Sequence, residues 1–201
     1  MIFTCLFLFR GRGFGLCSEY AKTIAGNRLF LNHNRSEMNI HFVTLREDDI
    51  PTIKEIYDFY ILNSTATYHT RPVTPDYLKE NIPIAHPKYT SYLIQADDQT
   101  CGYAYLGPYK NRAAYDRTAE VSIYLKREYT GKAIGKMALR KLEEDAVKTG
   151  TIRVLIGVIS ADNTNSISLF KKAGYVRCAY FREVGEKFGR ILDVVAYQKM
   201  I

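Results

Sequence analysis

Metal-binding and disulfide patterns are missing from this sequence. Its four cysteines, Cys5, Cys17, Cys101 and Cys178, form no CxxC pair and show no metal-ligand spacing. That argues against a structural zinc or other bound metal and implies free thiols in a reducing compartment, with the cytoplasm as the expected location. Apolar runs of membrane length are missing as well. The stretch Ile2 to Phe9 is far shorter than the ~20 residues of a membrane span, and it has neither the charged start nor the small-residue cleavage site of a secretory signal. No membrane partner is expected. Acids fall short of bases: 21 Asp and Glu against 28 Lys and Arg leave +7 at pH 7, which favours an anionic partner without saying which. No nucleic-acid motif, and no basic helix with interleaved aromatics, accompanies that charge, so a nucleic-acid partner is not expected either.

What is there is an ordinary globular composition. The 201 residues, 47% apolar and 24% charged, suffice for one well-buried domain of ~150 residues with some chain left over. Residues 1–37 differ from the rest, with five bases (Arg10, Arg12, Lys22, Arg28, Arg35) and two acids (Glu19, Glu37). They are expected to be an upstream extension or a poorly ordered tail, with Met38 as the functional start. An organellar transit peptide is the alternative. "GRGFG" at Gly11–Gly15 follows no clear strand and is given no nucleotide role.

Residues 38–201 read as one α/β unit. "NIHFVTLR" alternates like a strand, and Asp48, Asp49 and Pro51 open a helix with Ile53, Ile56, Tyr57, Tyr60 and Ile61 on one face. Thr74 and Pro75 cap a short second helix through Ile82. "TSYLIQAD" and "CGYAYLGPY" form an antiparallel hairpin. Further on, "IRVLIGVIS" is a nearly continuous apolar strand, Asn163 or Asn165 caps a helix that Gly174 closes, and "VRCAYF" and "ILDVVAYQK" are two more strands.

The informative stretch is "AEVSIYLKREYTGKAIGKMALRKLEEDA", Ala119 to Ala146. Alternation in "AEVSIYL" sets Glu120, Ser122 and Tyr124 on a polar face, opposite Val121, Ile123 and Leu125. Ile134, Ala138, Leu142 and Ala146 then recur at every fourth position, which predicts a helix from about Gly131 or Lys132 to Thr149-Gly150. Its first turn, "TGKAIGK", offers free backbone N–H groups and the positive end of the helix dipole to a phosphate. A Walker A loop is excluded, since Gly131 and Gly135 lie four apart and Met137 stands where a magnesium-holding Ser or Thr belongs.

The order of elements, this strand-turn-helix and the later "ADNTNSISLFKKAGY" resemble the GNAT superfamily of acetyl-CoA-dependent N-acetyltransferases. "NSTATYHTRPVTPDYL", "GPYKNRAAYDRTAEVSIYL" and "EKFGRILDVVAYQK" look like its phosphinothricin and methionine sulfoximine acetyltransferase branch. The resemblance covers about Asn39 to Lys199. It implies an α/β (α+β) GNAT fold whose mixed central sheet splays at the acetyl-CoA site between flanking helices, and a homodimer. It places the cofactor's pyrophosphate on the amides of Thr130, Gly131, Lys132, Ala133, Ile134, Gly135 and Lys136, with Ser122, Ile123, Tyr124 and Leu125, and Asn163 and Ser166, as further cofactor contacts. Glu120 matches the family's catalytic glutamate. Tyr109, Lys110 and Asn111, with Ala119 and Val121 beside Glu120, are implied on the acceptor side. Lys187 and Arg190 match a C-terminal feature of the branch without a definite role.

Four residues depart from the pattern. Thr130 and Ala133 replace the first residue and the first glycine of Gln/Arg-x-x-Gly-x-Gly/Ala, Phe170 stands where many members have a tyrosine that can protonate the leaving thiolate, and Arg71 stands where the branch commonly has glutamate. The expected reaction is acetyl transfer to the amino group of a small amino acid or analogue, with Glu120 as base. The alternatives are another amine acceptor, an acetyl-CoA-binding module with little turnover and, for Glu120 itself, a strand residue paired with a nearby lysine or arginine. A protein beginning at Met38 is expected to unfold cooperatively and to acetylate as well as the full chain. Loss of its cooperative thermal transition would show that residues 1–37 belong to the fold.

Overall fold

The structure, a computed structural model, describes residues 38–201; the reading of residues 1–37, and Cys5 and Cys17 with it, lies outside the described residues. The elements follow the expected order: β1 (Ile40–Thr44), α1 (Ile50–Asn63), α2 (Pro75–Asn81), β2 (Ser91–Ala96), β3 (Gln99–Pro108), β4 (Thr118–Leu125), α3 (Ile134–Thr149), β5 (Val154–Ser160), α4 (Thr164–Lys172), β6 (Val176–Lys187) and β7 (Arg190–Met200). The strands make one mixed sheet in the order β1-β2-β3-β4-β5-β7-β6. Every pairing is antiparallel except β4 with β5, because α3 carries the chain back across the sheet between them.

Period-two alternation divides the sheet residues between two apolar clusters. Leu93 and Tyr103 pack with Ile50, Ile53 and Ile56 of α1 and Leu78 of α2. Their neighbours Ile94 and Ala104 pack instead with Ile134, Ala138, Leu139 and Leu142 of α3 and with Phe170 of α4. The every-fourth-residue stripe of α3 is the reason that helix lies where it does: all four of its members are buried, at about 1.5–3 kcal/mol for each isoleucine or leucine. A Cβ on Gly157 of β5 would collide with the Phe170 ring, so the absence of a side chain there lets α4 seat closely on the sheet. Cys101 is buried and Cys178 exposed, and both are free thiols. No helix among the described residues is long and apolar enough to cross a membrane.

Two helix starts follow the expected capping chemistry. Thr74 Oγ1 accepts from Tyr77 N at 3.2 Å, and Asn163 Oδ1 accepts from Ser166 N at 3.1 Å. The start of α3 differs. It begins at Ile134 rather than at Gly131 or Lys132, because Gly131 (φ +74°) and Ala133 (φ +64°) both sit in the left-handed region and interrupt the helical dihedrals. Strand β6 differs too. It continues past Phe181 to Lys187 through register shifts near Arg177 and Phe181, and with both faces largely exposed its sequence has no apolar alternation to reveal it.

Left-handed geometry costs a Cβ-bearing residue about 1–2 kcal/mol, and glycine gives back part of that through unfolded-state entropy. Ala133→Gly is therefore expected to stabilise the fold by about 0.5–1 kcal/mol. Chemical denaturation at constant slope measures it; an unchanged or lower midpoint would mean that Ala133 is not strained.

Candidate active site

The site starts from a pairing that stops. β4 and β5 are in register only at Thr118–Val154, Ala119–Leu155 and Glu120–Ile156. Beyond Glu120, β4 stays with β3 as far as Leu125, while β5 stays with β7 as far as Ser160. The two strands diverge, and the inner backbone edge of Val121, Ser122, Ile123, Tyr124 and Leu125 has no strand neighbour. Peptide groups without partners seek other ones.

The same cleft receives the N-terminus of α3. No side chain caps it, and among the described residues the amides of Gly131, Lys132, Ala133, Ile134 and Gly135 meet no backbone acceptor. Ile134 is buried, whereas Thr130, Gly131, Lys132, Ala133 and Lys136 are exposed. Thr130 is turned back on the chain, its Oγ1 donating to Arg127 O at 2.8 Å, and the Lys132 ammonium lies 5.2 Å from the Tyr129 ring centroid. A Cβ on Gly135 would point at Leu169 and Leu125, which sets this first turn against both α4 and the end of β4. Unpaired amides at the positive end of a helix dipole, flanked by two lysines, fit a pyrophosphate. Asn163 and Ser166 at the start of α4 are bonded to each other, so Asn163 Nδ2 and the Ser166 hydroxyl are what they have left to offer.

On β4, Glu120, Ser122 and Tyr124 do share a face, but it is not an open polar surface. α1 covers it with aromatic rings. Tyr124 lies 5.3 Å from Tyr57 and 5.3 Å from Tyr60, with Tyr103 stacked at 5.1 Å. Tyr105, opposite Ser122 in the ladder, stacks on Tyr103 at 6.3 Å. Burial among these rings raises the Glu120 carboxyl above its ordinary range, and the Lys110 ammonium only partly opposes the shift. Among the described residues no cation lies within salt-bridge reach of Glu120. The ion-paired strand residue is not what the structure contains.

Tyr109, Lys110 and Asn111 lie just beyond β3, whose last residues face Glu120 and Ala119 across the ladder. Tyr109 meets Tyr115 edge to face at 5.9 Å, and the Lys110 ammonium sits 5.1 Å from the Tyr109 ring centroid. Ala119 and Val121, the neighbours of Glu120, are buried on the other face in the α3 core, so their peptide groups rather than their side chains border the site. Phe170 is buried too, edge-on to Tyr175 at 4.8 Å; it packs the core. Arg71 is exposed on the loop before α2.

Sequence reasoning gave no site role to Tyr57, Tyr60, Thr67, Tyr68 or His69, on α1 and the loop that follows it. Tyr57 Oη bonds both Thr67 Oγ1 (2.8 Å) and His69 Nδ1 (2.7 Å). Desolvation pushes the Tyr68 phenol up to about 12, with the carboxylates of Asp162 and Glu120 adding to the shift, although Tyr68 is 42% exposed. Tyr60 Oη donates to Leu125 O at 2.6 Å and ties α1 to the end of β4. The available signal was Tyr57 and Tyr60 three apart on the inner face of α1 and Tyr103 and Tyr105 two apart on β3.

Known proteins with this arrangement agree on its class. The family model for the acetyltransferase (GNAT) domain matches residues 42–196. The phosphinothricin N-acetyltransferase of Alcaligenes faecalis is 29% identical over 156 residues, 77% of this chain and 79% of that protein. The L-methionine sulfoximine/L-methionine sulfone acetyltransferase of Salmonella typhimurium is 29% identical over 154 residues, covering 75% and 88%. The solved structure of a GNAT superfamily phosphinothricin acetyltransferase from Sinorhizobium meliloti, in complex with acetyl-CoA, superposes with a TM-score of 0.71 at 30% identity, covering 82% of this chain and 88% of that one. The splayed sheet, the free amides of α3 and these matches lead to one conclusion: the chain belongs to the GNAT family of acetyltransferases, with acetyl-CoA as its acetyl donor.

Proposed function

We propose that the protein N-acetylates a small amino acid or close analogue, of the kind named by its phosphinothricin and methionine sulfoximine/sulfone relatives, and that Glu120 is the base. The observation that carries this is a half-buried carboxylate without a cationic partner among the described residues, on the tyrosine-lined face where β4 leaves β5. Bound in the cleft through Gly131–Lys136, acetyl-CoA supplies the activated acyl group. An acceptor amine arrives as an ammonium with a pKa near ~10 and cannot attack until it loses a proton. Glu120 takes it. Burial raises the basicity of Glu120 and so improves it for that task, while the Lys110 ammonium opposes the shift and favours the carboxylate. Lys110, at the mouth with Tyr109 and Asn111, is also suited to hold an amino acid's carboxylate. The unpaired backbone edge of Ile123 to Leu125 offers N–H donors to a developing oxyanion.

We further propose that the active species is a homodimer. The β6–β7 hairpin exposes Val176, Phe181, Val184, Phe188 and Ile191, each at least half accessible, at an edge strand interrupted by bulges. Exposed apolar side chains concentrated on one edge hairpin mark a surface suited to association, and a second copy supplies a self-complementary cover. Light scattering should give twice the chain mass. Ile191→Glu should halve it, and a wild-type monomer at micromolar concentration would rule the dimer out.

Glu120→Gln keeps the shape and removes the proton acceptor. Thiol release from acetyl-CoA, across amino acids, methionine sulfone, methionine sulfoximine, phosphinothricin and polyamines, is expected to fall by roughly 10²–10⁴ in kcat with acetyl-CoA affinity unchanged. The wild-type rate should rise with pH, because the carboxylate form acts, and its acid limb should lie above the ordinary carboxylate range since burial raises this group. Lys110→Ala should move that limb further up. Wild-type turnover in the Gln variant at neutral pH would remove Glu120 from the chemistry.

A further inference from the structure

Lys187 is the one buried basic side chain among the described residues, at 3% exposure. No carboxylate pairs with it there. Its Nζ donates instead to two backbone carbonyls, Ser64 O at 2.7 Å and Thr67 O at 2.8 Å. Both belong to the segment that leaves the C-terminus of α1, where Ser64 is the capping residue and carbonyls are left without helical partners. A cation at the negative end of that helix is electrostatically favoured, but taking an ammonium out of water without an acid beside it is expensive. Stability alone would be served as well by an apolar side chain.

What the contact does is visible in the segment it holds. Residues 64–69 pair with no strand. They are fastened at a few points: Lys187 to the carbonyls of Ser64 and Thr67, Thr65 Oγ1 to Asp162 Oδ1 at 2.8 Å, and Thr67 and His69 to Tyr57. Asp162 is itself set by Ser160 Oγ (2.7 Å) and by Arg190 (3.2 Å). The final hairpin and the β5–α4 turn thus grip the loop from one side while α1 grips it from the other. Thr67 and His69, which this loop brings onto Tyr57, lie between those two grips.

We infer that Lys187 is a positioning residue for the amine acceptor: by pinning the carbonyls of Ser64 and Thr67 it holds the Thr67–His69 wall against Tyr57, whose ring packs on Tyr124 of the Glu120 face, and it does not act on acetyl-CoA. This rests on the transferase reading given above. The acceptor class it serves is a small amine whose side chain lies against that wall.

Lys187→Met keeps the length of the side chain and removes the donor, and Lys187→Arg keeps a donor. For Lys187→Met, the KM of whichever amine the wild type acetylates is expected to rise about ten- to a hundredfold, with acetyl-CoA affinity by calorimetry within about twofold and a larger effect on KM than on kcat. Lys187→Arg should recover part of the loss. An unchanged KM would overturn the proposal, as would a melting-temperature loss shared equally by both variants with no KM difference between them. Hydrogen exchange reads the same contact without turnover. Faster exchange confined to residues 64–69 in Lys187→Met supports the grip even if no amine on the panel is acetylated by the wild type, an outcome that counts against the transferase reading alone. Unchanged exchange there overturns the grip.

Discussion

Three residue pairs of parallel ladder between β4 and β5 hold this molecule's two halves in one sheet. Without them the antiparallel β1–β4 part and the β5–β7 part would share no ladder. A longer ladder would fill the space where β4 and β5 part. Ending it at Glu120 sets the last shared position of the sheet and the candidate base at the same residue. It leaves one edge of β4 with peptide groups that need partners, and it aims the α3 N-terminus into the opening. The helix stripe Ile134, Ala138, Leu142 and Ala146 then holds that terminus in place. The proposed phosphate contact, oxyanion contact and proton acceptor thereby come from one continuous run of chain.

Beneath Glu120 two electrostatic effects compete, and their order determines its behaviour. Burial among tyrosine rings is the larger and favours the protonated carboxyl; Lys110 is the smaller and favours the carboxylate. The balance tips the other way elsewhere in the fold. At the buried Asp145, which accepts from Lys141 and from Tyr92 Oη, desolvation is again the largest single effect, but those hydrogen bonds and the charges of Lys141 and Lys148 together outweigh it and hold the carboxyl below its usual range. One acid is braced into the structure, and the other is left available.

The parts of this structure that were legible in the sequence are those governed by short-range periodicity. The α3 stripe, the Thr74 and Asn163 caps, the β2–β3 hairpin and the facing of Glu120 all depend on residues within a few positions of each other. What was hidden depends on distance or on dihedrals. Ala133 shows in composition as a small helix-compatible residue, and its left-handed backbone is imposed by the turn it sits in. The face of Glu120, Ser122 and Tyr124 reads as polar because α1, which covers it with Tyr57 and Tyr60, lies some sixty residues earlier in the chain. The grip of Lys187 on Ser64 spans 123 positions, and no local pattern carries such a contact. β6 was read short because a doubly exposed, bulged strand has no apolar alternation.

The ring cluster has an optical consequence. The chain contains 16 tyrosines and no tryptophan, so excited phenols have no indole to which they can pass their energy. Five of them, Tyr57, Tyr60, Tyr103, Tyr105 and Tyr124, are in edge or stacked contact beside Glu120, close enough to exchange excitation among themselves. The near-ultraviolet emission and circular dichroism of the protein therefore carry a signal from the cleft itself, and a molecule that enters it changes that signal without any label being attached.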